Sequence, residues 1–321
     1  MKYAVIDISS SGVSFFAANA KDNDFEIEFK ERHTLSLKHY IENGKLLARG
    51  IEKLTEALSL VKSKCEALSV AKGWLIATAS LRTIENFDDV HKEIAKRTGM
   101  SINLIDVKSE AACDVAANSQ CVSYESPVLI DMGGASIEIC DFTVEGKEDY
   151  VCLDFGLDDL TNRFVSKIYP TFEEADEIKE YLKKKLKKAG VPKDGVFSTA
   201  VLSGSIMQSI YDVYCDYADI PAVDKSLKVI EPKEFRKLSK HLFDNSKRSM
   251  IVLTNAPEKL HVIGTAMVAL RTLLKRFNVK KVIVSDYGVK EGYLKLILEG
   301  KLSGEPFTVS AASDSEGSEV S

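Results

Sequence analysis

Several features that would settle a class at once are missing from this sequence. No apolar run approaches the ~20 residues of a membrane span. Even the stretch from Gly264 to Leu274 is interrupted by Arg271. No membrane partner is therefore expected. The six cysteines (65, 113, 121, 140, 152, 215) form no CxxC pair and keep no regular spacing. Several lie in apolar stretches, so they read as reduced core thiols, and the expected compartment is the cytoplasm. Neither HExxH nor a Cys/His cluster suggests a zinc site. The five histidines (33, 39, 91, 241, 261) are scattered, and none stands where a catalytic base is needed. Positive charge is not in excess either: 43 Lys and Arg against 48 Asp and Glu give a net charge of −5. A nucleic-acid binder normally carries a basic footprint, so no nucleic-acid partner is expected. The first residues, Met1 to Asp7, place an acid at position 7 and read as a strand rather than a secretion signal.

What is present suits a soluble globular protein of two domains: 321 residues, 45% hydrophobic and 28% charged. Strands are expected at Tyr3–Ile8, Gly12–Ala18 and Phe25–Phe29, the last alternating with acids. A helix follows over 46–68, with Leu47, Ile51, Leu54, Leu58 and Val61 on one face. Next come a strand at 74–79, a helix over 86–98 ending at Gly99, and a strand over 102–107. Ser109 then opens another helix. Near residue 125 the pattern restarts, with strands at 128–130, 136–142 and 150–155 and a turn at Glu145-Gly146-Lys147. The second half then becomes helical. Pro170-Thr171-x-x-Glu174 reads as a capping box over the stripe Ile178, Leu182, Leu186. A strand at 196–202, a long helix over 257–277, a strand at 281–285 and a helix over 289–298 complete the ordered chain. The domains are expected at 1–122 and 123–300. The acidic, serine-rich tail 301–321 lacks periodicity and is expected to be disordered.

Chemistry concentrates in the turns. Asp131-Met132-Gly133-Gly134-Ala135-Ser136-Ile137-Glu138 ends a buried strand on a carboxylate and turns on glycines. Backbone N–H groups can converge on phosphate in such a turn. A strand, not a helix, follows, which argues against a Rossmann or Walker loop. A β-hairpin with an acidic edge is the plain alternative. Asp7-Ile8-Ser9-Ser10-Ser11-Gly12 repeats the context, although a serine turn is often only a turn. Two facing domains, each offering a strand, an acid and a polar turn, make up the actin-like architecture that grips phosphates in a cleft. Ser203-Gly204-Ser205 is a third turn. Val284 to Gly292 is a fourth, where Asp286 reads as a helix cap. The lysines at 183, 184, 185, 187 and 188 read as a solvated helix face, with a polyphosphate track as the other reading.

Seven segments in order carry a specific resemblance: IDISSSGVSF (6–15), ATASLR (77–82), SEAA (109–112), LIDMGGASIEI (129–139), LDFGLDDLTNRF (153–164), LSGS (202–205) and VSDYGVKEG (284–292). With these the chain resembles the exopolyphosphatase / guanosine pentaphosphate phosphohydrolase (Ppx/GppA) family in its short, two-domain form. The resemblance implies an α/β fold of actin-like (ribonuclease H-like, ASKHA) type with an interdomain cleft. It implies hydrolysis of terminal phosphate from inorganic polyphosphate or pppGpp with Mg²⁺ or Mn²⁺, and it leaves a homodimer open. Residue by residue, Glu110 matches the glutamate that deprotonates water, and Arg82 the arginine facing phosphate. Asp131 and Glu138 match the metal-holding acids, with Asp7 the acid of the first loop. Ser9, Ser10, Ser11 and Gly12 match the first phosphate loop, Gly133, Gly134, Ala135 and Ser136 the second, and Ser203, Gly204 and Ser205 the third.

Departures fall mainly in the first loop, which the family writes approximately D-[IL]-G-S-N-S-x-[RK]. Ser9 replaces a glycine, Ser11 the asparagine, Gly12 a serine and Ser14 the basic residue. Ala135 and Val107 also stand for glycines, Ile137 for a threonine and Ser109 for a second glutamate. Each change is expected to remove a left-handed backbone option or a polar contact. A weakened or inactive homologue that binds polyanions as a sensor is one alternative. An actin-like sugar or acyl kinase is the other.

Overall fold

The computed structural model describes residues 1–142, 149–193, 196–221, 228–244 and 248–309. The chain forms two compact units: Met1–Glu110 with the segment from Tyr293 onward, and Ala111–Gly292.

The first unit opens with an antiparallel meander of β1 (Lys2–Ser9), β2 (Gly12–Lys21) and β3 (Asp24–Thr34). A small ribbon, β4 (Ile41–Glu42) and β5 (Lys45–Leu46), leads into α1 (Ala48–Ala67). Strand β6 (Lys72–Ala77) pairs parallel to β1, and β7 (Ile102–Leu104) parallel to β6. Between them lie the short α2 (Ala79–Arg82) and α3 (Phe87–Thr98). The sheet order is thus β3-β2-β1-β6-β7. Ala4, Val5, Ile6 and Ile8 are all fully buried, because β1 is central and covered on both faces. Leu54, Leu58, Val61 and Cys65 turn the apolar stripe of α1 into this core. At the end of α3, Gly99 takes φ +70°, the left-handed C-cap that glycine adopts without strain.

The second unit repeats the plan. β8 (Pro127–Met132), β9 (Ile137–Asp141) and β10 (Asp149–Leu153) form the meander. β11 (Thr199–Ser203) is parallel to β8, and β13 (Lys281–Val284) parallel to β11. A short β12 (Val229–Ile230) closes the edge, giving the order β10-β9-β8-β11-β13-β12. Helices α5 (Leu157–Phe164), α6 (Phe172–Lys188), α7 (Ser205–Tyr217), α8 (Pro232–Asp244), α9 (Arg248–Asn255) and α10 (Ile263–Phe277) belong to this unit. The capping box stands as expected: the Glu174 N–H donates to the Thr171 hydroxyl, and the Thr171 N–H to the Glu174 carboxylate. Ile178, Leu182 and Leu186 are fully buried. On the open side of the same helix Lys183 pairs with Glu180, and Lys185 lies over the Phe155 and Tyr181 rings.

Two helices carry the chain from one unit to the other, α4 (Val107–Ala117) and α11 (Val289–Leu298). The division therefore falls at 110/111, not at 122/123, and the chain returns to the first unit at Tyr293 instead of ending the second at 300. The tail also begins later than expected. A last strand, β14 (Phe307–Thr308), pairs antiparallel with β6. The Phe307 ring fills the space that a Cβ on Gly73 would occupy, 2.2 Å from that position. Burial of one aromatic ring outweighs the polar composition around it. Residues 310–321 and the expected 145–147 turn lie outside the described residues.

Two further expectations change. The long helix over 257–277 is a 3₁₀ turn at Pro257–Lys259 followed by α10. Its hydrogen bonds there span three residues, Leu260 to Pro257 and Val262 to Lys259. The strand over 102–107 stops at Leu104, because Asp106 caps α4 by accepting the Ser109 N–H at 2.7 Å. That bond, first of all, holds the Asp106 carboxyl below its usual range.

Candidate functional site

The predicted residues fall into two sets, one per unit. In the first unit Arg82 ends α2 and Glu110 sits in the first turn of α4. The two meet: Arg82 Nη1 donates to Glu110 Oε2 at 2.9 Å and to the Ile105 carbonyl at 2.7 Å. Glu110 is 6% exposed, so its charge is held by a partner rather than by water. Both Arg82 bonds leave from Nη1, and among the described residues none leaves from Nη2 or Nε. A guanidinium so arranged can hold a carboxylate with one edge and offer the other to phosphate. The pairing is neither a surface ion pair nor a lone dipole-stabilising acid.

The first loop is a tight hairpin, with Ser9 opposite Gly12 and Asp7 opposite Ser14. The Ser9 hydroxyl shares a bond with Ser11 Oγ at 3.1 Å and donates to the Gly12 carbonyl at 3.3 Å. The Ser11 carbonyl accepts the N–H groups of Leu35 and Ser36. Gly12 is obligatory, because its Cβ would stand 2.0 Å from the His33 carbonyl oxygen. Ser9 is a different case. It lies in extended strand and takes no left-handed conformation, and neither do Val107 and Ala135. The expectation that these three replacements cost a glycine-only backbone is therefore corrected: all three positions suit an ordinary residue. Replacing Ser9 by glycine would remove two side-chain bonds.

In the second unit Asp131 stands directly opposite Glu138 across β8 and β9, and opposite Ser203 across β8 and β11. Glu138 is buried, and the Cys152 thiol of β10 donates to its Oε1 at 3.2 Å. The turn between the two acids is fixed from beneath. The carbonyls of Gly133 and Gly134 accept the N–H groups of Leu157 and Asp158, at 2.9 and 3.0 Å. Gly156 makes this approach feasible, since a Cβ there would lie 2.3 Å from the Gly134 carbonyl carbon. In a trans peptide C=O and N–H point in opposite directions. Carbonyls turned to α5 thus direct the Gly134 and Ala135 N–H groups away from it, as a phosphate cradle requires. Ser136 closes the turn by accepting the Gly133 N–H through its carbonyl at 2.9 Å.

The third loop joins this set. Gly204 has φ +93°, and a Cβ there would lie 2.4 Å from Asp131 Oδ1. The glycine thus lets the Asp131 carboxylate lie against the start of α7. Ser203 Oγ donates to the Tyr287 carbonyl. Ser205 Oγ accepts from Lys259 Nζ at 3.2 Å, and Lys259 is buried. Asp286 pairs with Lys228, and at the start of α11 the Gly288 N–H donates to Glu291. Gly292 is a crossing point, where a Cβ would stand 1.7 Å from the Cys113 carbonyl oxygen of α4.

Divalent metal can be tested against this donor set. Among the described residues no three His, Cys, Asp or Glu side chains are assembled as a metal centre. The Asp131–Glu138 pair still fits Mg²⁺, which takes one or two carboxylates and leaves the rest of its shell to water and phosphate. Two like charges directly opposed across strands also favour a cation between them. Asp7 belongs to the first unit and is not part of this pair. Sequence reasoning missed Lys259, Gly156, Cys152 and Arg32 of β3. Gly156 lies inside a quoted segment, but nothing local gave it a task, and the others sit in no pattern.

A sheet of one order built twice, each with an acid on its first strand and a polar turn behind it, defines an actin-like protein that handles phosphate. Comparison with known proteins narrows the class. Residues 17–299 match the model of the Ppx/GppA phosphatase family. Exopolyphosphatase 1 of Mycobacterium leprae is 20% identical over 331 aligned positions, covering 100% of this chain and 96% of that protein. A guanosine-5'-triphosphate,3'-diphosphate pyrophosphatase of Pseudoalteromonas translucida is 26% identical over 141 residues, 43% of this chain and 28% of its own length. The crystal structure of an exopolyphosphatase from Cytophaga hutchinsonii superposes with a TM-score of 0.83 at 17% identity, covering 95% of this chain and all of that one. The chain belongs to the Ppx/GppA phosphatase family and has its actin-like fold.

Proposed function

We propose that this protein removes the terminal phosphate of inorganic polyphosphate or of pppGpp, with Glu110 as the general base and Arg82 on the substrate phosphate. The observation that supports this reading is the Arg82–Glu110 pair, a buried carboxylate and a guanidinium held together at 2.9 Å. Phosphoanhydride hydrolysis asks for a water in line, a carboxylate to take its proton, and positive charge over the transferred group. Glu110 accepts the water's proton in this scheme. Arg82 orients that carboxylate and neutralises charge on phosphate oxygens. The N–H groups of Gly134 and Ala135 would bind phosphate through backbone dipoles, which need no reorganisation during reaction. Asp131 and Glu138 would hold Mg²⁺ or Mn²⁺, whose chemistry is to neutralise charge developing on phosphate oxygens.

A second reading, binding without turnover, draws on the loss of a basic side chain at Ser14. Phosphate release by the purified protein from polyphosphate, pppGpp and ATP, with equilibrium binding of each, separates the two. Release from either of the first two supports hydrolysis. Binding without release supports the sensor. Preference for ATP would overturn both.

A further inference from the structure

The first loop lacks a cation at Ser14, yet the fold brings one there from another strand. Ser14 of β2 is flanked in register by Asp7 of β1 and Arg32 of β3. Side chains directly opposite one another in antiparallel strands share a face, with Cβ atoms roughly 4.5–5.5 Å apart. Asp7, Ser14 and Arg32 therefore form one cross-strand row beside the Ser9–Gly12 turn. Arg32 reaches from this row toward the turn, where its Nη2 donates to the Ser11 hydroxyl. The short side chain of Ser14 leaves that path open, and an arginine at 14 would compete for it. Arg32 is half-buried, so part of its side chain stays open to solvent.

We propose that Arg32 supplies the substrate-facing cation of the first phosphate loop, acting from β3 in place of residue 14 and contacting the phosphoanhydride chain at the Ser9–Gly12 turn. This inference rests on the function proposed above. A polyanion approaching a turn that carries Asp7 needs a positive group to offset that acid. A guanidinium already tied to the turn by a hydroxyl is set in place before substrate arrives. The Ser9–Ser11 hydroxyl bond belongs to the same arrangement, because it fixes the acceptor that Arg32 uses.

The test compares four proteins: the parent, Arg32→Gln, Arg32→Lys, and the exchange Ser14→Arg/Arg32→Ser. Equilibrium binding of tripolyphosphate, long-chain polyphosphate and pppGpp is measured at two ionic strengths, with far-UV circular dichroism to verify folding. Arg32→Gln should weaken binding about tenfold, the low end for one charge-assisted bond. Its salt dependence should also be shallower than the parent's. The exchange should bring binding back to within about threefold of the parent, because the cation returns to the same row. Arg32→Lys keeps the charge without the planar fork, so it should fall between parent and Arg32→Gln. If Arg32→Gln does not fold, the exchange and Arg32→Lys decide the matter. Parent-like binding by folded Arg32→Gln overturns the inference while the proposed function stands, and so does an exchange that fails to recover. A parent that binds none of the three anions overturns the proposed function, and this inference with it. Weakening confined to pppGpp would assign Arg32 to the guanosine compound alone and overturn the role in polyphosphate binding.

Discussion

Glu110→Gln separates chemistry from stability because of how Glu110 is held. The carboxylate is buried and accepts from Arg82 Nη1 at 2.9 Å. Glutamine has the same shape and keeps a carbonyl oxygen for that donor, so the contact survives as a bond to a neutral acceptor. A charge-assisted bond contributes ~1.5–3 kcal/mol and a neutral one about half of that, so the loss is about 1 kcal/mol. Arg82 keeps the Ile105 carbonyl at 2.7 Å in either case. In a unit of this size, that loss lowers Tm by roughly 2–4 °C. Catalysis should suffer far more. Loss of a positioned general base costs ~10²–10⁴ in rate, or ~2.7–5.5 kcal/mol of barrier. Phosphate release under saturating polyphosphate, together with thermal denaturation, tests both numbers on one sample. The expected signature is kcat lower by at least ~100-fold with Tm within a few degrees of the parent. A folded variant with parent-like kcat would remove Glu110 from the mechanism. A Tm drop well beyond the calculated one would mean that the pair is mainly structural.

Three more outcomes follow from the geometry. Phosphate release should stop in excess chelator and return with Mg²⁺, and Asp131→Asn should raise the Mg²⁺ concentration giving half-maximal rate; full activity in chelator refutes this. Gly204→Ala should lower stability by ~1–3 kcal/mol through backbone strain and displace Asp131, since its Cβ would sit 2.4 Å from Oδ1; a calorimetric scan and kcat together check it, and an unchanged scan refutes it. Burial pushes the Cys65 thiol up to about 12, with Glu66 adding to the effect, and the Cys121 thiol up to about 11. Burial disfavours the charged form, so the thiolate fraction at pH 8 falls to roughly one in a thousand or less. Neither thiol should be alkylated at pH 8 until the protein is unfolded, and rapid labelling of the native protein, read by mass spectrometry, would contradict that.

The sequence alone disclosed what is written in local pattern. Apolar alternation and turn residues marked β1 to β3, and their recurrence after residue 125 announced the second sheet, because strand periodicity and turn chemistry are properties of neighbours in the chain. The Thr171 box, the Gly99 stop and the buried stripe of α6 were legible for the same reason. So were the acids that end strands at Asp7 and Asp131. Family resemblance then gave Glu110 and Arg82 their expected tasks, though nothing in the chain showed that they touch. Tertiary structure decided that pairing, 28 residues apart in sequence. It also decided that Ser9 and Ala135 sit in unstrained backbone, that Gly204 makes room for Asp131, and that Arg32 arrives opposite Ser14. Residues beyond Tyr293 joined the first unit for a similar reason, since the Phe307 ring found Gly73. Strand register and the return of distant segments set these contacts. Both are fixed by the packing of the whole unit, so no window along the chain contains them.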